Sequence, residues 1–356
     1  MSVSHSRITI RSATEADIPT IVDLIIAQQM RQRSRDPRLP QVQTRAQRAA
    51  ALREGSQQEA LVALDEEGHV RGYGRPGVWD IKPTSILRAF LTVRNGIVRT
   101  LTLPDPADAD ASAVATALVS ALDAFWQQAE TSGELVRWPS TDGWVEAVLT
   151  PQGFQLDSIC ALRPLEPVFA VRPTPGSEQR VRLARPDDED ALVKLFDEEL
   201  LFHERSTPFV RSSSEVLTAF RHTLRRMWEG DALEVLEAGA PVVLVVEHDK
   251  AVVAMAENTL LAVSPDDEPG YTPAGSYWCL DNVSVRESLQ GQGIGRLLVQ
   301  GVEDIREELG LLLDGYVLWF NPDNLKAARF WTGLGFQPLW TTYQRLRVPF
   351  GDHPRT

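Results

Sequence analysis

Three glycines within five residues, Gly291, Gly293 and Gly295, stand between two segments of different hydrophobic pattern. Before them, residues 277–285 are rich in aromatic and β-branched side chains, which is typical of a strand. After them, apolar side chains recur at helical spacing over 294–305. Glycine N–H groups can approach a phosphate closely, and a helix N-terminus favours negative charge. The pattern predicts an anion-binding turn.

Spacing excludes two common phosphate-binding motifs. A dinucleotide motif, Gly-x-Gly-x-x-Gly, would need a third glycine where Arg296 stands, and a P-loop would need Lys and Ser or Thr directly after Gly295. What remains is Gln290-x-x-Gly293-x-Gly295. This resembles the Gln/Arg-x-x-Gly-x-Gly/Ala signature of the GCN5-related N-acetyltransferases, whose turn holds the pyrophosphate of acetyl-CoA. An ordinary glycine-containing turn is the alternative.

A second motif lies in the order and spacing that the same family uses. After a predicted strand at 316–320 comes Asn324-x-x-Ala327-x-x-Phe330-Trp331-x-x-x-Gly335-Phe336. It resembles the family signature Asn-x-x-Ala-x-x-Phe-Tyr-x-x-x-Gly-Phe, which covers a helix along the pantetheine arm. With two motifs in register, the C-terminal half is identified as a member of this family.

The resemblance implies direct transfer of an acetyl group from acetyl-CoA to an amine. The backbone at the end of the first strand would bind the pantetheine amides and polarise the thioester carbonyl. The predicted cofactor-binding residues are Val283, Ser284, Val285, Gln290, Gly291, Gln292, Gly293, Ile294, Gly295, Arg296, Asn324, Ala327, Phe330 and Trp331. No metal site is expected, because the six histidines are scattered and the two cysteines are distant in sequence.

A base must deprotonate the acceptor ammonium, and two carboxylates are candidates. Asp281 lies on the predicted strand, on the same face as Cys279 and Val283 by alternation. Glu257, on the preceding predicted strand, is the second candidate. A purely structural carboxylate is the alternative for each.

The family's usual Tyr, an acid for the departing thiolate, is replaced by Trp331. An indole N–H donates hydrogen bonds but supplies no proton near neutral pH. A thiol with a pKa of about 8.5 leaves tolerably without full protonation, so we expect lowered rather than abolished activity. Tyr316 and Tyr343 are possible substitutes.

In this family the segment between the first two helices walls the acceptor site. Here it follows an acidic helix, in which Glu199 and His203 are candidate contacts of a cationic acceptor. A solvated helix face is the alternative interpretation.

The pattern of the C-terminal half occurs a second time in the chain. A short strand and a capped helix begin near Ile8 and again near Val181, with Thr14 and Asp187 as predicted caps, and both copies end in Gly-Phe followed by one more strand. We therefore predict an α/β (α+β) fold of two tandem acetyltransferase-fold domains, each a central mixed, mostly antiparallel sheet flanked by helices. The predicted division is 1–170, a linker at 171–177, and 178–356.

The first copy lacks the motifs of the second. After its fourth strand comes a loop, 104–111, that holds two prolines, three aspartates and no glycine. Prolines lack N–H donors and aspartates repel a pyrophosphate. We expect the N-terminal half to be a degenerate copy without a cofactor site.

Composition and charge restrict the partners. The net charge is −13, and residues 176–356 hold 29 acidic and 18 basic residues against 20 and 18 in residues 1–175. This argues against a nucleic-acid partner. No long apolar run or signal-peptide core is seen, so neither a membrane partner nor export is expected. Two cysteines on apolar strands suit the cytoplasm.

These observations predict an acetyl-CoA-dependent N-acetyltransferase that acts on a primary amine, of a small molecule, in the C-terminal domain. Two alternatives stay open: a non-catalytic acyl-CoA-binding or interaction module, and an acetyltransferase directed at proteins or peptides. The oligomeric state is open, a homodimer being one option.

Overall fold

The computed structural model of the chain describes residues 7–55, 59–165, 179–264 and 272–347. The predicted linker at 171–177 lies outside these residues, so the division into domains stays a prediction. No helix among the described residues is long and apolar enough to cross a membrane.

The N-terminal half alternates strands and helices in the order that the repeat predicts. Its strands are β1 (Thr9–Ser12), β2 (Leu61–Leu64), β3 (Val70–Asp80), β4 (Arg94–Thr102), β5 (Gly133–Pro139) and β6 (Gln155–Pro164). Its helices are α1 (Ile18–Arg35), α2 (Arg45–Glu54), α3 (Ala111–Gln128) and the single turn α4 (Glu146–Leu149).

The C-terminal half repeats this order with one more helix among the described residues. Its strands are β7 (Arg180–Leu183), β8 (Val242–His248), β9 (Ala251–Val263), β10 (Gly275–Val285), β11 (Gly315–Phe320) and β12 (Gln337–Leu346). Its helices are α5 (Glu189–Glu204), α6 (Ser214–Met227), α7 (Ala232–Glu237), α8 (Ile294–Glu308) and α9 (Leu325–Gly333).

The first helix of each half starts from the same ion pair. Arg11 donates to Asp17, whose carboxylate also accepts the Thr14 N–H at 2.8 Å. Arg182 donates to Asp188 in the same way. The predicted cap Asp187 was wrong: the N-cap of this turn is Arg185, and Asp188 is the capping-box carboxylate that accepts the Arg185 N–H at 2.7 Å, as Asp17 does for Thr14.

The twelve strands of the described residues form one sheet, in the order β1-β2-β3-β4-β5-β12-β6-β11-β10-β9-β8-β7. The pairs β4–β5 and β10–β11 are parallel and the others are antiparallel. The predicted mixed, mostly antiparallel sheet flanked by helices is confirmed.

The two halves exchange their last strands. The C-terminal β12 pairs with β5 of the N-terminal half, and β6 pairs with β11 of the C-terminal half. The strands β12 and β6 pair with each other at the centre of the sheet. Each half therefore completes its sheet with a strand from the other half.

An arginine on each exchanged strand fixes this arrangement. Arg163 of β6 forms an ion pair with Glu303 of α8 and lies 4.3 Å over the Tyr316 ring. Arg345 of β12 forms ion pairs with Asp123 of α3 and Glu134 of β5. Side chains of opposite charge, both largely removed from water, hold each exchanged strand against its host half.

Candidate functional site

A cleft opens in the sheet of the C-terminal half where β10 and β11 separate. The two strands pair from Tyr277–Gly315 to Leu280–Leu318. Beyond Leu280, β10 continues to Val285 beside β9. A cavity of about 240 Å³ lies there, which we call the C-terminal cleft; it is lined by residues from the end of α5 and by Val283, Ser284, Val285, Glu287, Gln290 and Asn324.

Several residues predicted from separate sequence signals meet in this cleft. Glu199 and His203 come from α5, residues 283–285 from β10, Gln290 from the turn after β10, and Asn324 from the start of α9. The structure thus joins the predicted acceptor and cofactor residues in one cavity.

A β-bulge at Asp281 marks the point at which the cleft begins. Leu280 pairs with Asn258 and Asn282 pairs with Glu257, so no residue of β9 lies opposite Asp281 in the strand register. Its carboxylate accepts hydrogen bonds from Thr259 Oγ1 at 2.7 Å and from Cys279 Sγ at 3.1 Å. A bulge bends a strand and redirects its side chains, often beside an active site.

The bulge changes the alternation predicted for β10. Asp281 lies on the same face as Cys279, as expected, because the two side chains are hydrogen-bonded. The next residues do not continue that alternation: Asn282 donates to Glu257, and Ser284 Oγ donates to the Leu195 carbonyl of α5. Since Asn282 and Ser284 face α5, Val283 points to the opposite face of the sheet. The predicted shared face of Asp281 and Val283 was wrong.

A row of carboxylates runs from the bulge to α5. Glu257 is 2% exposed, and its burial, followed by the charge of Asp281, raises its pKa to about 8. Burial also raises the pKa of Glu199 to about 8, with a further contribution from Glu257. Glu199 Oε2 is buried with no hydrogen-bond partner among the described residues. A carboxylate that lines a cleft with such a pKa can accept a proton near neutral pH.

His203 is the other titratable group that the sequence placed here. It lines the cleft one turn after Glu199, with its ring edge-on against Phe202. Burial lowers its pKa. The imidazole is therefore mostly neutral at pH 7.

The glycine turn has the backbone conformation that its sequence predicts. Gly291 and Gly293 have φ angles of +79° and +85°, and Gly293 is the N-cap of α8. A Cβ at either position would meet no protein atom within 4 Å, so the space beside the turn is open. The first N–H groups of α8, from Ile294 onward, start at this open space, which suits a pyrophosphate.

The side chains around the turn divide into structural and exposed groups. Gln290 donates to the Val285 carbonyl at 3.2 Å, and Gln292 donates to the Ser288 carbonyl at 3.3 Å, so both stabilise the turn. A Cβ at Gly295 would lie 3.2 Å from the Phe330 ring, which brings α8 close to α9. Arg296 is exposed beside the turn.

The second motif builds α9 and its contacts. Asn324 caps the helix by accepting the Ala327 N–H at 3.1 Å, and Ala327 is half-buried. Trp331 is only 7% exposed and packs edge-on against Phe330 and Phe336. Its ring therefore packs in the core, and its contact with the cofactor stays a prediction.

Neither tyrosine proposed as a substitute acid lies in the cleft. The Tyr316 hydroxyl donates to Glu303, and burial raises its pKa strongly. Tyr343 is buried in the core of the N-terminal half, where burial raises its pKa to about 12. Departure of the thiolate without a protein acid remains the expectation.

Sequence reasoning missed two polar residues of the site and gave another a minor part. Thr259 donates to Asp281 and Asn282 donates to Glu257. Along the strands, Asn282 directly follows Asp281, and Thr259 stands two residues after Glu257. The sequence indicated Glu199 only as a substrate contact, because nothing in the sequence of α5 shows that the Glu199 carboxylate points inward.

The comparisons with known proteins agree with this geometry. Residues 199–336 match the acetyltransferase (GNAT) family. These residues form a GNAT domain. No curated protein sequence matches the chain.

One solved structure resembles 95% of the chain in fold. A GCN5-related N-acetyltransferase from Sphaerobacter thermophilus has a TM-score of 0.52 and 15% identity, over 95% of this chain and 95% of that one. A tandem GNAT protein from the clavulanic acid biosynthesis pathway, without acetyl-CoA, has a TM-score of 0.43 and 14% identity, over 97% of this chain and 100% of that one. At these identities the first likeness concerns the fold alone.

The N-terminal half differs from the GNAT domain at the matching positions. Two arginines contact the aspartates of its 104–111 loop. Arg71 of β3 forms ion pairs with Asp108 and Asp110, and Arg31 Nε of α1 lies 3.6 Å from the Asp105 carboxylate. Gln28 of α1 donates to the Leu101 carbonyl at 2.9 Å and accepts the Leu103 N–H at 2.7 Å. The backbone at the end of β4 is therefore already occupied by a side chain.

A small acidic group lies away from the cleft. In the turn between β2 and β3, ligand atoms of Asp65, Glu67 and His69 lie within 4.8 Å of one another. Glu67 and His69 are exposed, and exposed groups of this kind are common without an ion. The expectation that the enzyme needs no metal stays a prediction.

Proposed function

We propose that the GNAT domain transfers an acetyl group from acetyl-CoA to a primary amine of a small molecule, by direct transfer within the C-terminal cleft. The observation that carries the proposal is the pair Glu199 and Glu257, two carboxylates with pKa values of about 8 beside the open end of β10. A glycine turn at the N-terminus of α8 adjoins the same cleft.

The glycine turn and the end of β10 suit the cosubstrate. The turn at Gly291 and Gly293 offers open space and helix N–H groups to a pyrophosphate. Beyond Leu280, the edge of β10 that leaves β11 can offer backbone groups to the pantetheine amides. Acetyl-CoA supplies an acyl thioester when bound. No step of this proposal needs a metal.

The cleft suits a small cationic acceptor. Its ionisable lining residues are three glutamates, Glu198, Glu199 and Glu287, with Arg205 and the neutral His203. A cavity of about 240 Å³ leaves room for a compact amine beside the acyl group. An ammonium group could pair with Glu199, whose Oε2 has no partner among the described residues.

The chemical step follows from this arrangement. Ionised Glu199 takes one proton from the ammonium, and the free amine attacks the thioester carbonyl. The C–N bond forms, the C–S bond breaks, and the thiolate leaves with its electron pair. The second amine proton passes to water or to the thiolate. A leaving thiol with a pKa of about 8.5 makes a dedicated acid unnecessary.

The test measures thiol release from acetyl-CoA on two panels, one of small primary amines and one of peptides. We expect release with small amines that falls by about a hundredfold in Glu199→Gln, the size typical of a lost general base. Glu204→Gln, at an exposed position of α5 outside the lining of the cleft, is the matched control and should keep most of the activity.

Other results would redirect the proposal. Turnover on peptides alone would replace the small-molecule substrate by a protein substrate. Binding of acetyl-CoA with no turnover on either panel would leave a binding module. Full activity in Glu199→Gln would remove the assigned base.

A further inference from the structure

We propose that the N-terminal half binds a small, multiply charged organic anion, carrying carboxylate or phosphate groups, in a second cavity of its own. This cavity, which we call the arginine cavity, has a volume of about 340 Å³. That is near the lower end of the roughly 300–1,000 Å³ of small-molecule sites.

The arginine cavity lies where β4 and β5 separate. These strands pair only from Asn95–Gly133 to Ile97–Leu135. Residues 97–102 of β4 and 137–139 of β5 form one side of the cavity, and helices α1 and α2 form the other. Trp340, on the exchanged strand β12, completes the wall. The cavity thus occupies the place in its half that the C-terminal cleft occupies in the other.

Its charge is opposite to that of the C-terminal cleft. The ionisable residues that line it are four arginines, Arg33, Arg48, Arg99 and Arg137. They come from α1, α2, β4 and β5 and converge in a chain whose net charge is −13. Guanidinium groups bind carboxylates and phosphates through paired hydrogen bonds, so this lining suits an anion.

Two carboxylates lie close to the arginine cavity. Asp142 is buried behind the cavity, where it pairs with Arg35 and accepts hydrogen bonds from Gln32 and Trp138, both at 3.2 Å. Burial raises the pKa of Asp157 to about 6, and the nearby charge of Arg137 opposes part of this rise.

Two of the arginines form no ion pair with a carboxylate of the described residues. Arg33 donates to the Leu39 carbonyl, a neutral group. Across the described ranges, no carboxylate forms an ion pair with Arg99, which is exposed. Their positive charges remain available to a bound anion.

The anion is not acetyl-CoA. Gln28 occupies the backbone at the end of β4, and the aspartates of the 104–111 loop stand where a pyrophosphate would need N–H donors. A compact anion could enter between the arginines without displacing Gln28 or the 104–111 loop. Rings of Trp138 and Trp340 on the wall would contact its carbon skeleton.

The test is calorimetric titration of the full chain with citrate, a tricarboxylate, and with inorganic pyrophosphate. We expect saturable binding of at least one anion, at one site per chain, that weakens as salt is added. The dissociation constant should rise about tenfold or more in Arg99→Glu and in Arg48→Gln, because each removes charge-assisted hydrogen bonds. Comparing the two probes distinguishes carboxylate from phosphate ligands.

Two controls separate this site from its surroundings. Arg53→Gln changes an exposed arginine on the same helix as Arg48 and should leave the affinity unchanged. Gly293→Ala alters the GNAT domain and should also leave it unchanged. Arg99 is exposed, so its substitution should preserve the melting temperature.

Three outcomes would overturn the proposal. One is that neither anion binds saturably. Another is binding that Arg99→Glu and Arg48→Gln leave intact. The third is a second acetyl-CoA site per chain that Arg48→Gln removes.

Discussion

Asp281 and Arg99 occupy the same position in the two halves of the chain: each is the unpaired residue of a β-bulge in the fourth strand of its half. Pairing of Arg75 with Thr100 and of Pro76 with Val98 leaves Arg99 without a partner on β3, as Asp281 is without one on β9. Both halves thus have a β-bulge where their cavity opens. The bulged residue is an aspartate in the C-terminal half and an arginine in the N-terminal half.

The equivalence extends to the neighbouring strand. Glu257 pairs with the residue after one bulge, and Arg75 pairs with the residue after the other. Two carboxylates of the proposed site are therefore arginines in the N-terminal half. Among these positions, only those of the C-terminal half hold a carboxylate that could deprotonate an amine. We therefore assign ligands of opposite charge to the two cavities.

The pH dependence of catalysis should follow Glu199. Its pKa of about 8 means that the carboxylate is mostly protonated at pH 7, and a base must be ionised to act. With one acceptor, kcat/KM should therefore rise with pH and level off above about 8. The charge of Glu257 is one cause of the raised pKa, so Glu257→Gln should move this rise to lower pH. A profile that Glu257→Gln leaves unmoved would contradict the coupling.

The strand, turn and helix around the proposed cofactor site could be predicted because their signals are local. Residues 277–285 are rich in aromatic and β-branched side chains, and the left-handed φ angles at Gly291 and Gly293 are ones that glycine alone adopts freely. The repeat was also readable, since each copy begins with a short strand and a capped helix and ends in Gly-Phe.

The exchange of β6 and β12 could not be predicted from the sequence. Pairing of Trp340 with Pro139 joins residues far apart in the chain, and either final strand carries a pattern that fits both positions in the sheet. The bulge at Asp281 has no local signal either, and it changes the face of each residue after it. The inward direction of Trp331 depends on packing against Phe336, which follows from tertiary contacts.

Gly293→Ala tests the glycine turn as the cofactor site. With φ at +85°, an alanine there costs about 1–2 kcal/mol and shifts the turn away from its present geometry. We expect calorimetry to show acetyl-CoA binding weakened by about tenfold or more. Gly239→Ala carries a similar strain, at φ +70°, in a turn outside the cleft. It should lower the melting temperature comparably while leaving affinity unchanged; equal loss of affinity in both variants would remove the turn from the site.

Gln28→Ala tests the prediction that the N-terminal half has no cofactor site. The change leaves a buried carbonyl at Leu101 and a buried N–H at Leu103 without their partner, at about 1–3 kcal/mol for each group. Urea unfolding should show this loss, whereas Met30→Ala, at a 61% exposed position on the same helix, should show little. Acetyl-CoA should still bind at one site per chain, because the 104–111 loop offers no cradle. A second site in Gln28→Ala would mean that this side chain alone closes the N-terminal half.

Arg345→Ala tests the exchange of strands, because Arg345 belongs to the C-terminal half by sequence and stabilises the N-terminal half by position. It pairs with Glu134, whose side chain is fully buried, and donates to the Gln152 carbonyl at 2.7 Å. Arg347 also pairs with Glu134 and would retain part of the interaction, so we expect a loss of about 1–3 kcal/mol rather than the 3–5 kcal/mol of an abandoned buried charge. Hydrogen exchange should locate the loss in β5, with Arg226→Ala, an exposed change in α6, as the control. Faster exchange confined to β7 to β11 would show that β12 does not hold the N-terminal half.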